Sequence, residues 1–171
     1  TVVTNAIGIL GTNMSFEAGT LDGWSVLVED VAAEASYLKA QEGEYSAQLH
    51  ATGWSNWSWN SVVQLIPCVS GEELRVTGKV YIQSLAKAGT NWVRCGVKME
   101  STNEAGRTSA GVEFDQTAPI GEWLDVDFVR SGPVDGADGL VLWVGGTDAG
   151  KVDVFFDNLV VTSTNTGVVV T

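Results

Sequence analysis

The chain has 171 residues, enough for one domain with a sizeable core, and 21 acidic residues against nine basic ones give it a formal net charge of −12. Nine cations scattered along the sequence form no patch for nucleic acid or an anionic membrane, and no apolar run approaches the ~20 residues of a membrane-spanning helix. Cys68 and Cys95 allow one disulfide or two buried thiols, and the single histidine, His50, leaves a zinc site almost no ligands.

In chain order, only 30–36 (DVAAEAS) reads as helical, and it is too short to define a class. The rest alternates apolar and polar residues over 45–50, 74–82, 92–100, 123–129, 140–144 and 152–161, the period of half-buried strands. Turn signals separate them at 69–72, 103–106, 119–121, 133–139 and 148–150. Short strands at regular spacing with glycine-rich turns predict an all-β sandwich in one domain, followed by a Thr/Asn/Val tail after Ser163. The first residue is Thr1 and no signal peptide precedes it, the start expected of a mature or excised fragment.

Several short elements recur in a recognisable order. NMSFEAG at 13–19 is followed by Gly23-Trp24, then by GEYS at 43–46 and VSG at 69–71. GEW at 121–123 comes next, and VFFDN at 154–158 closes the frame. Over residues 13–161 the sequence resembles the β-jelly-roll carbohydrate-binding modules of the families 4, 9, 16 and 22 type, domains with a galactose-binding-domain-like fold that accompany secreted glycoside hydrolases and polysaccharide lyases. The resemblance implies a jelly roll of two antiparallel sheets. One sheet would hold the strands near 45–51, 74–82, 123–130 and 153–161. The other, concave sheet would hold 59–66, 140–145, 91–99 and 108–114, with 140–145 between 59–66 and 91–99, and its outer face would carry the ligand.

Alternation on 92–100 sends Val93, Cys95, Val97 and Met99 inward and turns Trp92, Arg94, Lys98 and Glu100 outward. On 140–144 Leu140, Leu142 and Val144 point in and Trp143 points out. The segment GWSNWSWNSVVQ at 53–64 enters the same end of that sheet. Indoles stack on the C–H face of a pyranose, and planar polar groups engage its hydroxyls. Trp54, Trp57, Trp59, Trp92 and Trp143 are therefore candidate platforms, and Asn60, Gln64, Arg94 and Glu113 are candidate polar partners. Trp54 and Trp57, among Ser and Asn ahead of the strand, are expected at the lip of a groove with Gln64 as its polar floor. Trp59 stays open, because an outward Gln64 turns Trp59 inward under strict period two and only a bulge exposes both. Trp24 and Trp123, each close behind a glycine at a strand start, are assigned to the core.

The resemblance also implies a structural calcium joining Glu17 to Asp157, with Asn13 as a weaker ligand, since calcium takes six to eight oxygens. Catalysis finds little support. His50 falls in the other sheet, nucleophile motifs are absent, and Glu113 is the one carboxylate placed on the aromatic face, where a glycosidase needs two. The expected function is a non-catalytic module of a secreted enzyme, holding an appended hydrolase or lyase to a neutral polysaccharide chain. Two rivals are a structural or adhesive jelly roll and, less favoured, a small polysaccharide-degrading enzyme.

Overall fold

Alternation decides which side of each strand meets the core. In β6 (Glu73–Lys87), Leu74, Val76, Val80 and Ile82 are fully buried, while Arg75, Thr77, Lys79 and Tyr81 face outward. In β7 (Val93–Ser101), Val93, Cys95, Val97 and Met99 are fully buried, and Arg94, Lys98 and Glu100 are partly exposed. Each such apolar side chain contributes ~1.5–3 kcal/mol of transfer free energy. The computed structural model describes residues 8–68, 71–89, 92–102, 107–133 and 136–163. The turn expected at 103–106 and the tail after Ser163 lie outside the described residues.

The remaining strands are β1 (Gly8–Leu10), β2 (Ser25–Leu27), β3 (Ala32–Ser36), β4 (Ser46–Ala51), β5 (Trp54–Cys68), β8 (Ser109–Asp115), β9 (Trp123–Ser131) and β10 (Gly136–Ser163). Every pairing among the described residues is antiparallel. Long β10 serves both layers. Its residues 136–147 lie between β5 and β7, and its residues 149–163 pair with β6 on one side and with β4 and β1 on the other. The result is a jelly-roll sandwich of β2–β5–β10–β7–β8 against β3–β4–β10–β6–β9, the strand membership expected from the sequence. A buried ion pair, Arg130 Nε to Asp138 Oδ2 at 2.7 Å, ties β9 to β10 across the core.

At the corner of β10, Gly146 has φ 144°. A β-carbon there would stand 2.0 Å from the Trp92 carbonyl oxygen, so glycine is what lets the chain entering β7 close onto β10. The Thr147 amide then donates to that carbonyl at 2.8 Å and fixes Trp92 beside the sheet.

Three expectations need correction or resolution. Residues 32–36 are strand β3, not helix: pairing with β4 outweighs the helix propensity of Ala and Glu in a segment too short to nucleate a helix. Trp24 is buried against Phe16, ring centroids 5.5 Å apart, but Trp123 is not in the core. It lies half-buried on the outer face of its sheet, edge-on to Tyr81 at 5.3 Å, because Leu124, Val126 and Phe128 take the inward positions of β9. Cys68 and Cys95 are buried thiols rather than a disulfide.

Candidate functional site

The outer face of the β2–β5–β10–β7–β8 sheet carries an aromatic run. On β5 the odd-numbered residues Trp57, Trp59, Ser61, Val63 and Leu65 point out, and the register sets Ser61 beside Trp143 and Trp59 beside Gly145. On the far side of β10, Gly96 faces Trp143 and Arg94 faces Gly145. Across β7, Glu113 then lies beside Gly96. The glycines leave room for the rings: a β-carbon would meet Trp143 Cε2 at 3.2 Å from Gly96, and Trp59 Cε3 at 2.8 Å from Gly145.

Four indoles stack over these positions. Trp57 lies on Trp92 with centroids 5.6 Å apart and planes 20° from parallel. Trp92 lies on Trp143 at 6.0 Å and 9°, and Trp143 lies on Trp59 at 4.6 Å and 21°. Trp143, in the middle, is 3% exposed, whereas Trp57, at the end, is 57% exposed. Two of the rings also carry a cation bound to a carboxylate. Arg94 lies 5.1 Å from the Trp92 ring centre and donates to Glu113 at 2.6 Å. Lys98 lies 4.7 Å from the Trp59 ring centre and 3.2 Å from Glu100. Cation–π attraction and the ion pairs hold the rings in place. Beyond Arg94, hydrogen bonds from the Thr117 hydroxyl and amide hold Asp115 below the ordinary carboxylate range, with Arg94 assisting.

Of the candidates named from sequence, Trp57, Trp59, Trp92, Arg94, Glu113 and Trp143 therefore share this face. Trp54, Asn60 and Gln64 do not. They occupy the inward parity of β5, and all are nearly or fully buried. Trp54 joins the core and its Nε1 donates to the Gly146 carbonyl at 3.0 Å. Asn60 Oδ1 accepts from the amides of Glu29 at 2.7 Å and Asp30 at 3.0 Å, and its Nδ2 donates to Ser58. Gln64 accepts from the Thr12 amide at 2.7 Å and donates to the Thr12 carbonyl at 2.8 Å. Both amides satisfy backbone groups of the segments that close the sandwich edge, and that need draws a polar side chain inward. Plain period two then exposes Trp59 without a bulge.

Two clefts flank the indoles. One of about 760 Å³ runs between β2 and the far end of β7, walled by Trp59 and floored by Val63, Leu65 and Val141, with Glu29 and Glu100 among its lining. A smaller one, about 230 Å³, lies between Trp143, Lys98 and Glu113. Lys98, Glu100, Val63 and Leu65 join this face beyond the candidates that the sequence suggests. Parity had already turned Lys98 and Glu100 outward, and only the inverted reading of β5 hid Val63 and Leu65.

Glu17 and Asp157 meet at the segment before β4. Asp157 is fully buried and accepts from the amides of Gln41 at 2.8 Å, Glu42 at 3.2 Å and Asn158 at 2.7 Å. Burial pushes its carboxyl above the usual range; those amide hydrogen bonds oppose the shift and the charge of Glu17 adds to it. Glu17 accepts from the amides of Glu44 and Tyr45 at 3.0–3.1 Å. Asn13 instead closes its own loop, its amide donating to the carbonyls of Thr20 and Asp22. Among the described residues no three His, Cys, Asp or Glu side chains converge, so a cation beside Glu17 and Asp157 would also draw on carbonyl oxygens.

No family model and no curated protein matches the sequence. Solved structures do match its fold. A family 16 carbohydrate-binding module is similar at a TM-score of 0.61 and 14% identity, over 88% of this chain and 96% of the other. A family 22 xylan-binding domain from Paenibacillus barcinonensis is similar at 0.61 and 16%, over 98% of this chain and all of the other. A family 61 module solved with β-1,4-galactotriose is similar at 0.59 and 19%, over 88% of this chain and 94% of the other. At such identities what is shared is the fold, the β-jelly roll of carbohydrate-binding modules.

Proposed function

We propose that this chain is a non-catalytic carbohydrate-binding module that holds a polysaccharide on the outer, concave face of the β2–β5–β10–β7–β8 sheet. The observation that carries the reading is the stack Trp57–Trp92–Trp143–Trp59, with Arg94–Glu113 beside Trp92 and Lys98–Glu100 beside Trp59. It joins exposed indole to planar donors and acceptors at the edge of an open cleft, the pairing that suits a sugar's C–H face and hydroxyl rim. An indole with a face open to the sugar, foremost Trp57, adds on the order of 1–3 kcal/mol, which gives micromolar affinity at the strongest. Carboxylates on this face are held by Arg94 and Lys98, an arrangement that favours binding over hydrolysis.

In this reading the module is secreted and fixes an appended glycoside hydrolase or lyase to a neutral polysaccharide, raising the local concentration of the enzyme. A structural calcium held by Glu17 and Asp157 fits the fully buried Asp157 carboxylate, which has only amide hydrogen bonds to offset its charge. Affinity electrophoresis through gels containing xylan, galactan, mannan, β-glucan and alginate tests the function. Retardation by at least one neutral glycan, weakened by Trp57→Ala, is the expected result. Unretarded migration on all of them leaves a structural or adhesive jelly roll, and release of reducing sugar favours an enzyme.

A further inference from the structure

The wider cleft beside Trp59 carries a continuous aliphatic strip. Val26, Leu27, Val63, Leu65 and Val141 line it, and Leu27 and Leu65 leave 58% and 62% of their surface uncovered. The strip continues through Val63 and Leu65 into an adjoining cleft of about 550 Å³ bordered by Ile9 and Pro67. A bare pyranose laid on this floor would strip water from hydroxyls that meet no donor or acceptor there, an unfavourable exchange. Of the polar groups of the cleft, Glu29, Glu100, Ser101 and Thr102 come from its two side walls, on the loop after β2 and at the end of β7, and Ser61 on the floor is 2% exposed.

Taking this face as glycan-binding, we infer that the cleft receives ester-linked acyl groups, so that the ligand is an uncharged polysaccharide partly O-acylated with short chains such as acetyl. Acylation removes a hydroxyl donor and adds a methyl group that an aliphatic floor can cover, leaving an ester carbonyl with modest needs. Trp59 belongs both to the indole stack and to the cleft wall, so a sugar chain on the stack runs directly into the aliphatic strip. Charge selects further. Glu100 is held by Lys98 at 3.2 Å and Arg107 at 3.6 Å, so repulsion of uronate, phosphate or acidic peptide segments comes from Glu29 in the cleft and from the chain's net charge of −12.

The test uses the purified chain in affinity gels containing acetylated glucomannan, acetylated xylan and acetylated galactan, each before and after mild alkaline de-esterification. Retardation should be about fourfold or more stronger on the acetylated form of at least one backbone, the equivalent of burying one or two methyl groups. The double variant Val63→Ser/Leu65→Ser, with its melting transition still cooperative, should bring that ratio toward one. Equal or stronger retardation on the de-esterified form of every retained backbone overturns the inference and leaves the glycan-binding reading standing. A ratio unchanged in the double variant also overturns it. Absence of retardation on every form overturns both. Retention of the wild-type chain on octyl-agarose that the double variant loses, with no preference for acylated glycan, would make the strip a general apolar surface and again overturn it.

Discussion

Trp59 lies over Gly145, its partner across the β5–β10 pair, with no room for a side chain between them. A β-carbon on Gly145 would stand 2.8 Å from Trp59 Cε3 and 3.3 Å from Cζ3. The position of the ring that walls the larger cleft is thus set by an absent side chain on the neighbouring strand, and the stack beyond it is set through Trp143.

Gly145→Ala should therefore act on binding through Trp59. The backbone at Gly145 is ordinary in φ, so the added methyl strains the ring rather than the chain. Ligand affinity on the panel above should fall several-fold, with a loss of stability of about 1–2 kcal/mol from overpacking. Unchanged affinity would show that Trp59 is not part of the binding surface.

Trp57 and Trp143 separate packing from binding. Trp57 is 57% exposed and Trp143 is 3% exposed. Trp143→Ala should cost ~3–5 kcal/mol of stability, as for a buried aromatic, and should lower affinity as well because its neighbours lose their support. Trp57→Ala should cost no more than ~1.5 kcal/mol, the worth of one aromatic pair, while weakening binding about tenfold or more. If Trp57→Ala binds every glycan like the wild type, the stack is packing alone.

Strand membership and the inward face of β7 were legible because apolar alternation there is strict; the outward turn of Trp143 followed from period two alone, since 140–144 is apolar at every position and buried on both faces. β5 misled because its outer face carries Val63 and Leu65 while its inner face carries Asn60 and Gln64, the reverse of simple polarity. Loop amides of Thr12, Glu29 and Asp30 impose that inversion from segments distant in sequence, and no local pattern reports it. Trp123 is a different failure. The alternation of Leu124, Val126 and Phe128 already turned it outward, and the assumption that an indole behind a glycine is core overrode that sign.

Asn60→Ala and Gln64→Ala test the inversion directly. Each leaves at least one part-buried backbone amide without its acceptor, which should cost about 0.5–1.5 kcal/mol. Melting temperatures should fall in both, while affinity of the folded fraction stays within twofold of the wild type (about 0.4 kcal/mol). A specific loss of binding at unchanged stability would return these amides to the ligand surface.

Burial pushes the Cys95 thiol well above its ordinary value of 9.0. In the unfolded chain the thiol ionises near 9.0, but in the folded protein it stays protonated. Above that pH the unfolded state holds fewer protons, so stability falls as pH rises, by about 1.4 kcal/mol per pH unit for this group. Denaturant titrations between pH 8 and 10.5 should show a shallower decline in Cys95→Ala than in the wild type. Equal slopes would mean that the thiol ionises in the folded state.

Asp157 and Glu17 give the calcium reading a measurable consequence. A fully buried carboxylate held only by three amides gains most from a cation, and a ligand that binds only the folded state raises its stability by mass action. Adding EGTA should lower the melting temperature by several degrees, and excess calcium should restore it where magnesium does not, because magnesium sheds its water reluctantly. Asp157→Ala should melt at one temperature in EGTA and in calcium alike. A wild-type melting temperature unmoved by EGTA would leave Asp157 as a backbone staple for Gln41 and Glu42 and remove calcium from the account of this fold.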